Sequence, residues 1–239
     1  KPQSNLLNFI FFNQLNEIKS NERIAKSILE VVQSSITSKQ EKKNYTYVLF
    51  YLKVATFLDP NLNEAYFYLA QIYQILKKYE LAENFYLKIS KNNQLYIESQ
   101  KYIAINKRKR GLFDEGEKDL IILINLYPDD YNLVIALADF YRIEKKYDKA
   151  LIHYSALINS LDIFFPEYWH LLYMRGICYE RSSSWELAEK DFKQSLKTKP
   201  NSPQVLNYLA YGWLERDVNL KIAMEMLKKA YRANPDSYY

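Results

Sequence analysis

The chain has 239 residues, and its 33 Lys and Arg against 28 Asp and Glu leave a net charge of +5, a bias too mild for a dedicated nucleic-acid binder. Only 4 glycines and 7 prolines interrupt it, which disfavours a β-sandwich with its many turns. One cysteine, Cys178, excludes an intramolecular disulfide and any multi-cysteine metal site.

No apolar run approaches the length of about 18 residues that a membrane-spanning helix needs. The chain opens on Lys1 without a methionine or a small-residue cleavage site, and it reads as a piece of a longer protein. Residues 4–19 carry Leu6, Leu7, Phe9, Ile10, Phe12, Leu15 and Ile18 on a broad helical face. Two readings of this helix stand: a cap laid on the end of a helical array, which is preferred, or a membrane or partner contact. Residues 21–62 then form an irregular helix pair. Its first helix runs through Ile24, Ile28, Leu29, Val32 and Ile36, and its second from about Tyr45 to Leu58. The polar stretch Thr37–Asn44 is a lengthened turn between them.

From residue 63 the pattern becomes periodic. Leu69-Ala70-Tyr73 is followed at steps of 34 by Ile103-Ala104-Lys107 and Leu137-Ala138-Tyr141. Arg175-Gly176-Tyr179 arrives four residues late, an insertion placed in the loop around Ile163–Pro166, and Leu209-Ala210-Trp213 returns to the step. First helices are predicted near 63–76, 96–110, 131–144, 167–181 and 203–215, and second helices near 79–91, 113–126, 147–160, 185–198 and 219–233. The second helices repeat a beat of their own, in Ala82/Tyr86, Ala150/Tyr154 and Ala188/Phe192, with Gly116/Leu120 and Ala223/Leu227 as looser copies. Residues three and four apart share one helix face, so large apolar groups alternate with a small one where two helices approach closely. Ala70, Ala138, Gly176 and Ala210 are the expected close contacts. Pro60, Pro128, Pro200 and Pro235 close units. Ser183-Ser184-Trp185-Glu186 has the spacing of a capping box, with Ser183 as the cap.

These residues resemble the tetratricopeptide repeat, whose pattern is W-x2-L-G-x2-Y, then A-x3-F, then P. The resemblance covers roughly residues 21–237. Lys107 departs from the aromatic position, and Gln94 and Asp162 stand where proline is usual. It implies an all-α fold, a right-handed α–α superhelix of about six helix pairs. Residues 1–20 would form the capping helix, 21–62 a degenerate repeat and 63–239 five consecutive repeats. Pro235–Tyr239 reads as the opening of a further one, so the array is expected to continue.

Catalysis and cofactors are not expected. His153 and His170 are the only histidines. No paired-histidine metal motif and no phosphate-cradling glycine loop occurs. Cys178 sits inside a predicted first helix, where a packed thiol is the ordinary explanation. Recognition is the remaining route. In tetratricopeptide domains the concave surface is lined by outward positions of each first helix. Carried over by resemblance, the groove here comprises Gln71, Lys101, Arg108, Lys109, Asp139, Arg142, Tyr173, Arg181, Asn207 and Tyr211.

Arg108 and Arg142 lie one repeat apart, with Arg181 beside their row. Guanidinium groups so placed could clamp the acidic side chains or the C-terminal carboxylate of a partner polypeptide. The alternative for Lys107–Arg110 is a solvated helix end, where positive charge is stabilising. An RNA-binding solenoid and an adaptor segment of a larger enzyme are the competing classes. The stretch Leu206–Arg216 with Ala223–Leu227 resembles bacterial repeat proteins, which implies a bacterial origin. An envelope or periplasmic location would follow from it, with the cytoplasm as the alternative.

Overall fold

Apolar residues at spacings of three and four, with few breakers between them, fold here as helix after helix. The computed structural model describes residues 2–37, 45–160 and 168–233. Twelve helices and no strand occur among them: α1 Pro2–Thr37, α2 Tyr45–Leu58, α3 Asn63–Ile75, α4 Tyr79–Tyr86, α5 Tyr96–Lys109, α6 Phe113–Leu126, α7 Tyr131–Ile143, α8 Tyr147–Ser160, α9 Trp169–Arg181, α10 Trp185–Thr198, α11 Pro203–Leu214 and α12 Leu220–Ala233. The odd-numbered helices from α3 to α11 are the first helices of the repeats, and the even-numbered ones from α4 to α12 are the second.

Every first helix from α3 to α11 ends in the same way. The N–H of Lys78 reaches back to the carbonyl of Tyr73 at 2.8 Å, and that of Lys77 to Gln74 at 2.9 Å. The pair of bonds recurs as Leu112 to Lys107 with Gly111 to Arg108, and as Lys146 to Tyr141 with Lys145 to Arg142. It appears again as Ser184 to Tyr179 with Ser183 to Glu180, and as Val218 to Trp213 with Asp217 to Leu214. This is the Schellman arrangement, which satisfies carbonyls left open at a helix end and needs one residue in the left-handed region. That residue is Lys77, Gly111, Lys145, Ser183 or Asp217, with φ of 58, 83, 58, 60 and 53°. The chain is thereby turned at a constant point of each repeat.

The capping box expected at Ser183 does not form, because Ser183 is the left-handed residue of the turn. Ser184 is the N-cap of α10, and its side chain makes no capping bond. Two further differences concern helix lengths. α4 stops at Tyr86 and not near residue 91, since Lys88 and Ile89 donate to Phe85 and Tyr86 in tighter i to i−3 bonds. The apolar patterns over 4–19 and 24–36 fall on the single helix α1, there being no proline or glycine from Lys19 to Arg23 to interrupt it. The side chains of Leu6–Phe12, the turn at 38–44, the loop at 163–166 and the segment 235–239 lie outside the described residues.

The chain divides into two units, Lys1–Asp119 and Leu120–Tyr239, with the boundary inside α6. In the first, α1 to α5 pack each on the next. Their core joins Leu52, Ala55, Ala65, Leu69, Ala70, Ala82 and Tyr86, all wholly buried. In the second, α7 to α12 do the same, and Trp185, Ala188, Phe192, Val205, Leu209, Ala210 and Trp213 form a continuous core. The small residues expected at close contacts, Ala70, Ala138, Gly176 and Ala210, are all buried. A Cβ added at Gly176 would stand 2.6 Å from the Phe192 ring.

Candidate binding clefts on the first helices

In the first unit, α3 and α5 leave a cleft of about 400 Å³ lined by Gln71, Gln74, Ile75, Tyr102, Ile105 and Lys109. Its floor is a hydrogen-bonded chain. Tyr86 Oη donates to Gln74 Oε1 at 2.5 Å, Gln74 Nε2 donates to Asn106 Oδ1 at 2.6 Å, and the buried Asn106 Nδ2 has no acceptor. Burial first, then Tyr102 and Glu98, raise the Tyr86 pKa, so the phenol stays a donor. Lys109 lies over the Tyr79 ring at 5.2 Å. Burial, and then the charge of Arg108, hold its pKa below the ordinary lysine value. Lys101 pairs with Glu98 and sits over Tyr102 at 5.3 Å. Arg108 is half-buried. Its neighbours in the basic run are engaged within the unit: Lys107 holds Asp119 at 2.7 Å and Arg110 holds Glu83 at 2.8 Å.

In the second unit the fork of Arg142 is turned inward. Its Nη2 and Nε donate to Asp139 Oδ1 at 2.8 and 3.2 Å, and Tyr154 Oη donates to the same oxygen at 2.6 Å. Burial works against the guanidinium charge, but Asp139 and Tyr154 outweigh it and raise the pKa. Asp139 and Arg142 are thus brought together, as a pair complete in itself. Tyr173, expected on the groove, is 8% exposed and packs against Trp169, Phe192 and Tyr208. A tyrosine at that register is taken by the core because rings from α10 and α11 close over it.

Arg181, Asn207 and Tyr211 do come together. With Glu180, Tyr208 and Glu215 they line a cleft of about 280 Å³ between α9 and α11. The two clefts are the same place in different repeats. Gln74, Ile75, Tyr102, Ile105 and Lys109 correspond, three repeats on, to Glu180, Arg181, Tyr208, Tyr211 and Glu215. The shape recurs while the charge changes, since Gln74 and Lys109 are replaced by Glu180 and Glu215. Sequence reasoning missed Glu180, Tyr208 and Glu215, although the signal was available. With the four-residue insertion counted, the register partner of Arg142 is Glu180 and not Arg181.

Among the described residues no group of three His, Cys, Asp or Glu is placed to hold a metal ion. None of their helices is long and apolar enough to cross a membrane. No family model matches the chain. A curated TPR repeat-containing protein of Pseudomonas aeruginosa is 32% identical over 72 residues. Its repeat name, the 34-residue step and the recurring Schellman turn agree. The repeats of this chain are tetratricopeptide repeats.

The matched stretch is 30% of this chain and spans about 12% of the length of that relative. Solved structures share the fold. A chain of the APC/C hetero-tetramer Cut9-Hcn1 aligns with a TM-score of 0.61 and 14% identity, over 92% of this chain and 45% of that one. MamA from Desulfovibrio magneticus RS-1 aligns with a TM-score of 0.56 and 16% identity, over 73% of this chain and 97% of that one. At such identities the likeness is one of fold. Within the tetratricopeptide register, both clefts fall between consecutive first helices, where outward positions of neighbouring repeats meet.

Proposed function

We propose that this chain is a protein-interaction scaffold that holds a partner polypeptide along the first helices of its repeats. The observation that carries the reading is the recurrence of one cleft at one register in two separate units, each with half-buried polar groups beside tyrosine. A periodic fold presents equivalent positions at regular intervals, which suits an extended or helical polypeptide better than a single small molecule. The Cut9-Hcn1 chain, which belongs to a hetero-tetramer, is a precedent for this fold in assembly. The Pseudomonas relative supports a bacterial setting.

In the first unit the matching segment is acidic or ends in a carboxylate, because Lys109 brings positive charge to a cleft otherwise lined by amides, a tyrosine and apolar groups. The engagement of Lys107 and Arg110 with Asp119 and Glu83 leaves less of the basic run to track phosphates, which favours a polypeptide over RNA.

The test uses a partner captured by the full chain and then purified. Gln71→Ala and Lys109→Glu should each weaken its binding by about tenfold or more. Lys190→Ala, exposed on α10, should leave binding as it is. Equal binding by the cleft variants and the control would sink the reading.

A further inference from the structure

We propose that the cleft between α9 and α11 receives the cationic side chain of an arginine or lysine from a partner polypeptide. The proposal deepens the scaffold reading and rests on it.

Three features of the cleft lead there. Glu180 Oε2 is buried and has no hydrogen-bond donor; Arg181 Nε is 3.2 Å away but is not aligned to donate. A buried carboxylate oxygen without a donor is costly, so a ligand bringing N–H groups is favoured there. Second, Asn207 lines the same cleft at 8% exposure. Its oxygen is a second acceptor for the same ligand, since an amide carbonyl accepts where a cation only donates.

Third, Tyr208 and Tyr211 line the cleft, and Tyr211 is 47% exposed. An aromatic face binds a cation and gives apolar contact to its stem. Glu215 adds negative charge at the exposed rim. The neighbouring Arg216 offsets part of that charge, its Nη1 lying 3.6 Å from Glu215 Oε2, while it also donates to the Gly212 carbonyl at 3.0 Å and lies 4.3 Å from the Trp185 ring centre.

The competing cation is Arg181, half exposed, paired with Glu180 and hydrogen-bonded to Tyr208. An incoming cation must displace it, whereas an incoming carboxylate would use it. This gives the two ligand charges opposite signatures, and replacing Arg181 decides between them.

Blocked arginine, lysine and glutamate (each N-acetylated, with a methylamide) are titrated into the ¹⁵N-labelled chain. The arginine and lysine probes should shift the amide signals of Asn207, Tyr211 and Gly212, and the glutamate probe should not. Glu180→Gln and Asn207→Ala should each weaken the arginine probe, the first by about tenfold. Arg181→Ala should tighten it. Melting curves identify variants that fail to fold; should Glu180→Gln be one, Asn207→Ala and Arg181→Ala carry the decision. The proposal is overturned if the arginine and lysine probes leave these signals unmoved, if glutamate moves them, or if Arg181→Ala weakens arginine binding. Such a failure leaves the polypeptide test at Gln71 and Lys109 standing. Conversely, arginine bound in this cleft while those variants hold their partner unchanged would sink the scaffold reading alone.

Discussion

Arg175 and Asp191 grip each other through two hydrogen bonds, Nε to Oδ2 at 2.7 Å and Nη2 to Oδ1 at 2.8 Å, with the Asp191 side chain only 5% exposed. Arg175 stands where other repeats have Leu69, Ile103, Leu137 and Leu209, all buried in the core. A charge is tolerated at this register because its partner is buried with it. Removing one member strands the other. Arg175→Leu should therefore cost about 3–5 kcal/mol. Changing Asp191→Leu as well should recover most of that, since two apolar residues suit the site. Urea unfolding of the single and double variants tests this; a single variant as stable as the parent would contradict it.

The left-handed turn residue offers a second test. Side chains other than glycine are strained there, by roughly 1 kcal/mol. Four of the five Schellman turns carry such a residue, among them Lys77 and Lys145. Lys145→Gly should raise stability by about 0.5–1 kcal/mol despite the freedom glycine gains in the unfolded chain. Gly111→Ala should lower it by a similar amount. The first would be disproved by a denaturation midpoint that moves down.

Gly212 predicts the opposite sign from helix propensity. Alanine in a helix interior is ordinarily favoured over glycine by about 1 kcal/mol. Here an added Cβ would fall 1.9 Å from a ring carbon of Trp185, which is buried and covered by Arg216. Overpacking of about 1–3 kcal/mol or more then outweighs propensity. Gly212→Ala should destabilise, and Ala138→Leu, at another wholly buried contact, should cost about 1–3 kcal/mol. Thermal unfolding reads both.

Cys178 should be chemically quiet. It is buried, and burial pushes its thiol up to about 12, with the charges of Arg142 and Asp139 acting in opposite senses. The thiolate is the nucleophile, so at pH 8 the native thiol is neutral as well as covered. Labelling by a thiol reagent should be slow in buffer and should rise to the rate of a free thiol in unfolding concentrations of urea. Rapid labelling in buffer would show that α9 is not packed as described.

Local pattern alone determined the repeat helices from α3 to α12 and nearly all of their boundaries. The first and second helices from α3 to α12 begin and end within a residue or two of the positions implied by the 34-residue step, except at the end of α4. Such a pattern is local, because apolar spacing selects a helix and places its buried face. It also determined where small residues must lie, at Ala70, Ala138, Gly176 and Ala210. Tertiary structure decided which polar groups are closed on internal partners and which border a cleft. Arg142 and Arg181 look alike in sequence, yet one is closed on Asp139 and Tyr154 and the other borders an open cleft. Arg110 finds Glu83 on another helix, and Tyr173 is covered by rings from α10 and α11. A charged side chain takes its partner from whatever the packing of neighbouring helices brings within about 3 Å, and a repeat register carries no record of that choice.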